Sequence, residues 1–368
     1  MDLEALIAAG LYDPAARDAA VRRALLEFLD AEGCSIEEMQ IADSRGRLFA
    51  LAGDRRIRPL TGLVSLREAA ARFEVEPAVL TRVWRTFGLP DNGIDAPVLT
   101  DDDVDALGTY LQVRTFLGED IALGVSRVMG AALARITEAE SSAMRVGLEG
   151  VMDIGVTGDE VVTAKAYAAV TQLVPRIGRM LDTLHRQHLD ATRVHFEHIN
   201  REVADRAAFR CGVGFADLSG FTSLSQRLPL GSLSEVLSIF EETATDTVHA
   251  RGGRVVKFLG DAVMWVSAEP GDLARIADDL VTHPRAAAAG IEVRAGIAFG
   301  DLLAQDGDYF GTPVNLASRL VAVSEPGQVL ADGELVALLG PAWYAVPGVP
   351  LALRGFDDPV TPYTVTPG

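Results

Sequence analysis

Cysteine is nearly missing from this chain: 368 residues contain only Cys34 and Cys211. Two cysteines so far apart exclude a disulfide scaffold and fit a reducing compartment. Positive charge is also scarce. Thirty-three Lys and Arg face 52 Asp and Glu, a formal net charge of −19, which withholds the basic footprint that nucleic-acid binding draws on. No uncharged apolar run approaches the roughly 18 residues a membrane span needs, and Met1-Asp2-Leu3-Glu4 is acidic where a secretory leader is basic. A soluble cytoplasmic protein with no membrane partner is therefore expected. Internal repeats and long low-complexity linkers are absent too. What remains, 49% hydrophobic and 23% charged residues, describes a folded chain, and its length predicts two domains instead of one core.

Residues 1–200 read as almost wholly helical, with Ala- and Leu-rich stretches between polar breaks and few Val, Ile or Thr clusters. Ser35 followed by Glu38 is a capping-box signature, and Thr100 ahead of Asp101-Asp102-Asp103 marks another helix start. The pattern changes after about Asp205. Val213–Ala216 and Arg254–Leu259 read as strands, and Gly260-Asp261 turns the latter into Ala262–Val266 as a hairpin. Helices are expected near 221–250 and 272–283, then the strand Val293–Phe299. Strand, helix, hairpin, helix, strand is the βαββαβ order of a ferredoxin-like sandwich.

Three segments carry the chemistry. Asp217 closes the first strand in Phe215-Ala216-Asp217-Leu218-Ser219-Gly220-Phe221-Thr222, and Asp261 sits at the hairpin tip in Lys257-Phe258-Leu259-Gly260-Asp261. Neighbouring strands would bring these two carboxylates together as hard oxygen ligands suited to Mg²⁺ or Mn²⁺. Lys257 interrupts an apolar strand, alternating with Val255 and Leu259 on one face. In Asp308-Tyr309-Phe310-Gly311-Thr312-Pro313-Val314-Asn315-Leu316-Ala317-Ser318-Arg319, Thr312 as cap and Pro313 at the first position predict a helix. The i,i+4 spacing puts Asn315 and Arg319 on one face of it.

Together these segments closely resemble the catalytic core of class III nucleotidyl cyclases, over roughly residues 207–368. The resemblance implies an α+β protein: a ferredoxin-like catalytic domain at 207–368, a helical linker at 183–206 and an all-helical regulatory domain at 1–182. It implies an adenylyl cyclase that converts ATP to 3′,5′-cyclic AMP and pyrophosphate with two Mg²⁺ or Mn²⁺ ions per site. Asp217, Asp261 and the Leu218 carbonyl would hold the metals. Lys257 would donate to the adenine ring and Asp308 accept from its amine, a pairing guanine would reverse. Asn315 would orient the ribose and Arg319 meet charge on the α-phosphoryl group. One catalytic domain per chain implies a homodimer with composite sites. A guanylyl cyclase is the alternative within the enzyme class; a nucleotide-sensing DNA-binding regulator is the alternative outside it.

His185, His188, His195 and His198 fall within 14 residues just before the catalytic domain, on a stretch, Thr183–Arg206, free of Gly and Pro. This reads as one continuous helix, and both a protonation switch and a plain polar face account for its histidines. The helical N-terminal half also resembles the autoinhibitory module of soluble actinobacterial cyclases, a group in which acidic pH can relieve inhibition. Within it, 63–110 resembles a degenerate helix-turn-helix. Arg82 and Arg85 lie on its second helix among Glu68, Glu74, Glu76 and Asp101–Asp103, so a packing role is expected over DNA binding. The Ala- and Leu-rich helices leave open either a small apolar ligand or ordinary core packing.

Overall fold

A computed structural model describes the backbone of residues 1–152, 160–199 and 208–368. It divides into two compact units, Met1–His188 and Leu189–Gly368.

The first unit is helical: α1 Leu3–Ala8, α2 Ala19–Ala31, α3 Ile36–Ser44, α4 Leu51–Ile57, α5 Leu66–Arg72, α6 Pro77–Thr86, α7 Asp101–Leu117, α8 Glu119–Met152, α9 Glu160–Thr171 and the start of α10 Val174–Ile199. Among the described residues its one β feature is an isolated bridge, Val64 to Leu99. The sequence signals set the helix starts. Ser35 accepts from the Glu38 amide while Glu38 reaches back to the Ser35 amide, and Thr100 and Asp103 do the same for α7. Two apolar clusters hold the unit. Leu25, Leu26 and Leu29 of α2 pack with Leu51 and with Ala164 and Ala168 of α9; Leu80, Val83 and Trp84 of α6 pack with Leu66 and Leu107. A cavity of about 390 Å³ also opens here, walled by Leu133, Ile136, Met144, Ile177 and Leu181. Helix α10 starts earlier than the expected Thr183, at Val174. Residues 200–207 lie outside the described ones, as do the side chains of His195 and His198; His185 and His188 are exposed.

The second unit contains an eight-stranded sheet: β1 Ala208–Leu218, β2 Arg254–Leu259, β3 Ala262–Ser267, β4 Val293–Gln305, β5 Asp308–Phe310, β6 Val329–Ala331, β7 Trp343–Pro347 and β8 Tyr363–Pro367. Its order is β2-β3-β1-β4-β6-β8-β7, with β5 paired to β4 alone. The first four positions, all antiparallel, are the expected ferredoxin-like arrangement. The helices differ in detail from the sequence reading. Pro229 separates α11 Phe221–Ser225 from α12 Leu230–Ala250, and α13 spans Pro270–Val281, followed by α14 Pro284–Ala288.

The sheet is covered on both faces. Phe240, Ala244, Leu273 and Ile276 of α12 and α13 pack with Ala216, Trp265 and Ile297 on one. On the other, Leu316, Ala317 and Leu320 of α15 Thr312–Val323 pack with Val213, Phe215, Met264 and Tyr309. Close approach needs glycine in the middle strands. At Gly296 of β4 a β-carbon would lie 2.3 Å from the Val321 nitrogen and 2.4 Å from the Ala317 oxygen, so the backbone of α15 rests directly on the strand. The last helix, α16 Gly333–Leu338, is capped by Asp332.

Candidate active site

Two of the strands and one hairpin tip define the acidic end of the site. Asp217 is the penultimate residue of β1, opposite Ala262 of β3 and Arg294 of β4. Gly260, at φ +67, lets β2 reverse sharply into β3, leaving Asp261 at the tip. The Leu218 amide donates to the Asp261 carbonyl at 3.1 Å and ties that tip to the end of β1. Burial pushes the Asp261 carboxyl above its ordinary range, and the neighbouring Asp217 charge pushes it further; its own backbone N–H and Arg294 act the other way.

Arg294 was not among the residues named from sequence. It donates to Asp217 Oδ2 from Nη2 at 2.7 Å and from Nε at 3.1 Å. Both bonds fall on one carboxylate oxygen, so Oδ1 keeps its lone pairs for another ligand. Among the described residues no group of three or more His, Cys, Asp or Glu is placed to hold a metal. An Asp pair is nonetheless a suitable donor set for a divalent cation that takes its remaining ligands from water and phosphate, as Mg²⁺ and Mn²⁺ do.

The other four residues lie on the sheet face that α15 covers. Lys257 Nζ is ion-paired with Asp308 Oδ2, and Asp308 Oδ1 accepts from the Tyr309 amide at 2.9 Å. The face of Lys257 is a correction to the sequence reading. Simple alternation put it beside Val255 and Leu259, but a β-bulge interrupts β2 between Val255 and Lys257. Val255 therefore sits opposite Trp265, on the α12–α13 side, while Lys257 sits opposite Met264 on the α15 side. Asp308 reaches it because β5 folds back from β4 through Asp306-Gly307, both at positive φ (+52 and +76), the backbone of a two-residue hairpin turn.

Asn315 is exposed and Arg319 half-buried on α15. Arg319 Nε donates to the Arg354 carbonyl at 3.3 Å. The helix begins as expected, but its cap is Gly311 and not Thr312, which is already helical and makes no capping bond. Gly311 has φ +143, and a β-carbon there would lie 2.8 Å from the Asp301 oxygen, so the close passage over β4 selects glycine.

In the helix-turn-helix-like segment each arginine has an acid beside it. Arg82 bonds Glu119 at 2.6 Å, Arg85 Nε bonds Asp91 at 2.8 Å, Arg67 bonds Asp95 at 2.6 Å and Arg72 bonds Asp101 at 3.4 Å. These cations are committed to carboxylates, which a phosphate backbone would have to displace. No helix among the described residues is long and apolar enough to cross a membrane.

Comparison with known proteins agrees with both halves. The adenylate cyclase regulatory domain family matches residues 2–192, and the adenylate and guanylate cyclase catalytic domain family matches residues 204–365. An uncharacterised protein of Mycobacterium tuberculosis (strain ATCC 25618 / H37Rv) is 47% identical over 98% of this chain and 93% of its own length. An adenylate cyclase of Streptomyces coelicolor is 37% identical over 77% of this chain and 71% of its own. A pH-sensitive adenylate cyclase of M. tuberculosis is 30% identical over 88% and 81%. With the regulatory family spanning more than half the residues and the catalytic family matching a further stretch, 204–365, this protein belongs to the class III adenylate and guanylate cyclases.

Proposed function

We propose that this protein is an adenylyl cyclase that converts ATP to 3′,5′-cyclic AMP and pyrophosphate, at sites shared by two copies of the chain. The observation that carries the choice of base is the Lys257–Asp308 pair: one donor and one acceptor, side by side on the α15 face. Adenine offers a ring nitrogen that accepts and an amine that donates, so each partner of the ion pair finds a match. Guanine seated in the same pose would turn its N1–H toward Lys257 and its O6 toward Asp308, leaving both unmatched in a half-buried slot. Relatives named adenylate cyclase support the same reading.

Asp217 and Asp261, with the Leu218 carbonyl, would hold two divalent ions, Mg²⁺ or Mn²⁺. When bound, these ions supply charge neutralisation for the triphosphate and acidify the ribose 3′-hydroxyl. Arg294 holds Asp217 Oδ2 in place and offsets part of the −19 charge where a polyanion must dock. Asn315 orients the ribose. As the 3′-oxygen bonds to the α-phosphorus and the bond to pyrophosphate breaks, negative charge grows on the α-phosphoryl oxygens, and Arg319 is the fixed cation that meets it. The metal carboxylates of one copy would work with the other four residues of its partner, making a symmetric homodimer the active form.

The domain boundaries we propose are 1–182, 183–206 and 207–368. The N-terminal domain would restrain the catalytic dimer, with His185, His188, His195 and His198 coupling that restraint to pH; the relative named pH-sensitive supports this regulation. The test is cyclic AMP formation from ATP by the full-length protein with Mg²⁺ or Mn²⁺ at acidic and neutral pH, beside residues 201–368. Turnover that acid raises in the full-length protein, and that the fragment shows at both pH values, is expected. Absence of turnover in a dimeric, metal-loaded sample rules the enzyme reading out; equal, pH-flat activity rules out the switch alone.

A further inference from the structure

We propose that Arg254 is a positioning residue that sets the spacing of the Lys257–Asp308 slot and, through it, the preference for adenine; this rests on that pair's reading the base.

The bulge in β2 is the first observation. Residues three apart on a regular strand face opposite sides of a sheet. Here the residue inserted at the bulge puts both Arg254, opposite Val266, and Lys257, opposite Met264, on the α15 face. Two cations on β2 thereby face two consecutive residues of β5. Lys257 pairs with Asp308, and Arg254 Nη2 donates to the Tyr309 hydroxyl while its guanidinium lies 5.3 Å from the Tyr309 ring centre.

The second observation is how β5 is joined to the rest of the sheet. It is three residues long, and among the described residues its backbone pairs with β4 alone. Its link toward β2 therefore runs through side chains. When the base amine engages Asp308 and Lys257 turns to the ring nitrogen, the direct ion pair is given up. The Arg254–Tyr309 contact then remains to keep the gap constant. Tyr309 is a firm post for it, 2% exposed and edge-on to Phe209 at 5.5 Å and 78°.

The third observation is a cost. Arg254 Nε is buried with no hydrogen-bond partner among the described residues. An unsatisfied interior donor destabilises a fold, and an apolar side chain of similar length would avoid it. An arginine at such a place fits a role in the site better than one in stability.

The experiment compares purified full-length Arg254→Met, Arg254→Lys and Tyr309→Phe with the unaltered protein, by kcat and KM for ATP and GTP and by thermal melting. For Arg254→Met the expected result is a KM for ATP raised about tenfold, kcat within about threefold, and an ATP/GTP ratio of kcat/KM lowered about tenfold. Its melting temperature is expected to move little, since removing the orphaned Nε is offset by leaving the Tyr309 hydroxyl without its Arg254 donor. Arg254→Lys recovers part of the ratio, and Tyr309→Phe, which keeps the ring and loses the hydroxyl, falls between. An unchanged ratio in folded Arg254→Met overturns the proposal, as does a fall in melting temperature and kcat together at constant ratio. If Arg254→Met does not fold, an unchanged ratio in Tyr309→Phe overturns it equally. Exchanging Lys257 and Asp308 for residues of reversed donor and acceptor character tests the underlying reading. If that exchange leaves base preference unmoved, base reading by the pair fails; if it shifts preference while Arg254→Met does not, only the Arg254 proposal fails.

Discussion

Replacing Gly296 by alanine adds one methyl group beneath the helix that carries Asn315 and Arg319. The added carbon would sit 2.3 Å from the Val321 nitrogen, 2.4 Å from the Ala317 oxygen and 2.9 Å from the Leu320 carbonyl carbon. Ordinary contact begins near 3.4 Å, so α15 must retreat by about 1 Å, and main-chain atoms cannot swing aside as a side-chain tip can. Overpacking of this kind costs about 1–3 kcal/mol, and three main-chain clashes put this site at the upper end. A 1 Å displacement of catalytic groups costs on the order of 100-fold in rate. Gly212→Ala is the matched control on the other face. Its closest neighbour, at 2.5 Å, is the Leu273 Cδ2 tip, which can rotate. Denaturant unfolding and cyclase kinetics on both variants read the difference. Gly296→Ala is expected to lose about 3 kcal/mol and about 100-fold in kcat, and Gly212→Ala clearly less of each. Equal behaviour of the two, or a Gly296→Ala protein with unaltered kcat, would refute direct support of α15 by β4.

Asp332 is 7% exposed, and burial raises its carboxyl from the usual 3.8 to about 6 although the Leu335 and Phe299 amides donate to Oδ1. The folded state thus binds this proton more tightly than the unfolded one. Its stabilising effect is complete below about pH 4 and lost as pH rises through 6, a change on the order of 3 kcal/mol. Asp332→Asn keeps the acceptor and cannot ionise, so unfolding at pH 4.5 and 7.5 should show a flatter pH dependence than the wild type; an identical slope contradicts this. Burial also pushes the Cys211 thiol up to about 12, and a thiol reagent at pH 8 should leave it unlabelled until denaturant is added; rapid native labelling of Cys211 contradicts its burial. Ser35→Ala removes one half of a reciprocal cap and should cost about 1 kcal/mol in the N-terminal unit, read by chemical unfolding; no change would mean the cap bond does not stabilise α3.

Much of this architecture was legible from local signals. The Gly260-Asp261 hairpin, the capping box at Ser35, the helix start at Thr100 and the i,i+4 placement of Asn315 and Arg319 each depend on residues close in sequence. The features that escaped depend on long-range or one-residue effects. Val255-Val256-Lys257 reads equally well as a regular strand, so the bulge that moves Lys257 to the α15 face leaves no compositional mark. Arg294 stands alone in an apolar strand, and its partner Asp217 is 77 residues earlier; only the β1–β4 register makes it part of the site. Gly311 was hidden behind the stronger Thr312-Pro313 signal, because the need for glycine comes from β4 and not from the helix. Strands β6, β7 and β8 are three to five residues long, too short to carry a clear alternation.

The most direct test of a shared active site is complementation between two disabled copies. Asp261→Ala and Arg319→Ala proteins, each purified alone and then co-expressed with separate tags, are assayed for cyclic AMP formation from ATP. Each alone should be inactive. The co-expressed mixture should recover about a quarter of wild-type activity, since half the dimers are mixed and each mixed dimer retains one intact site. A mixed dimer as inactive as its parents, beside an active wild-type dimer, would contradict the division of the six residues between two copies.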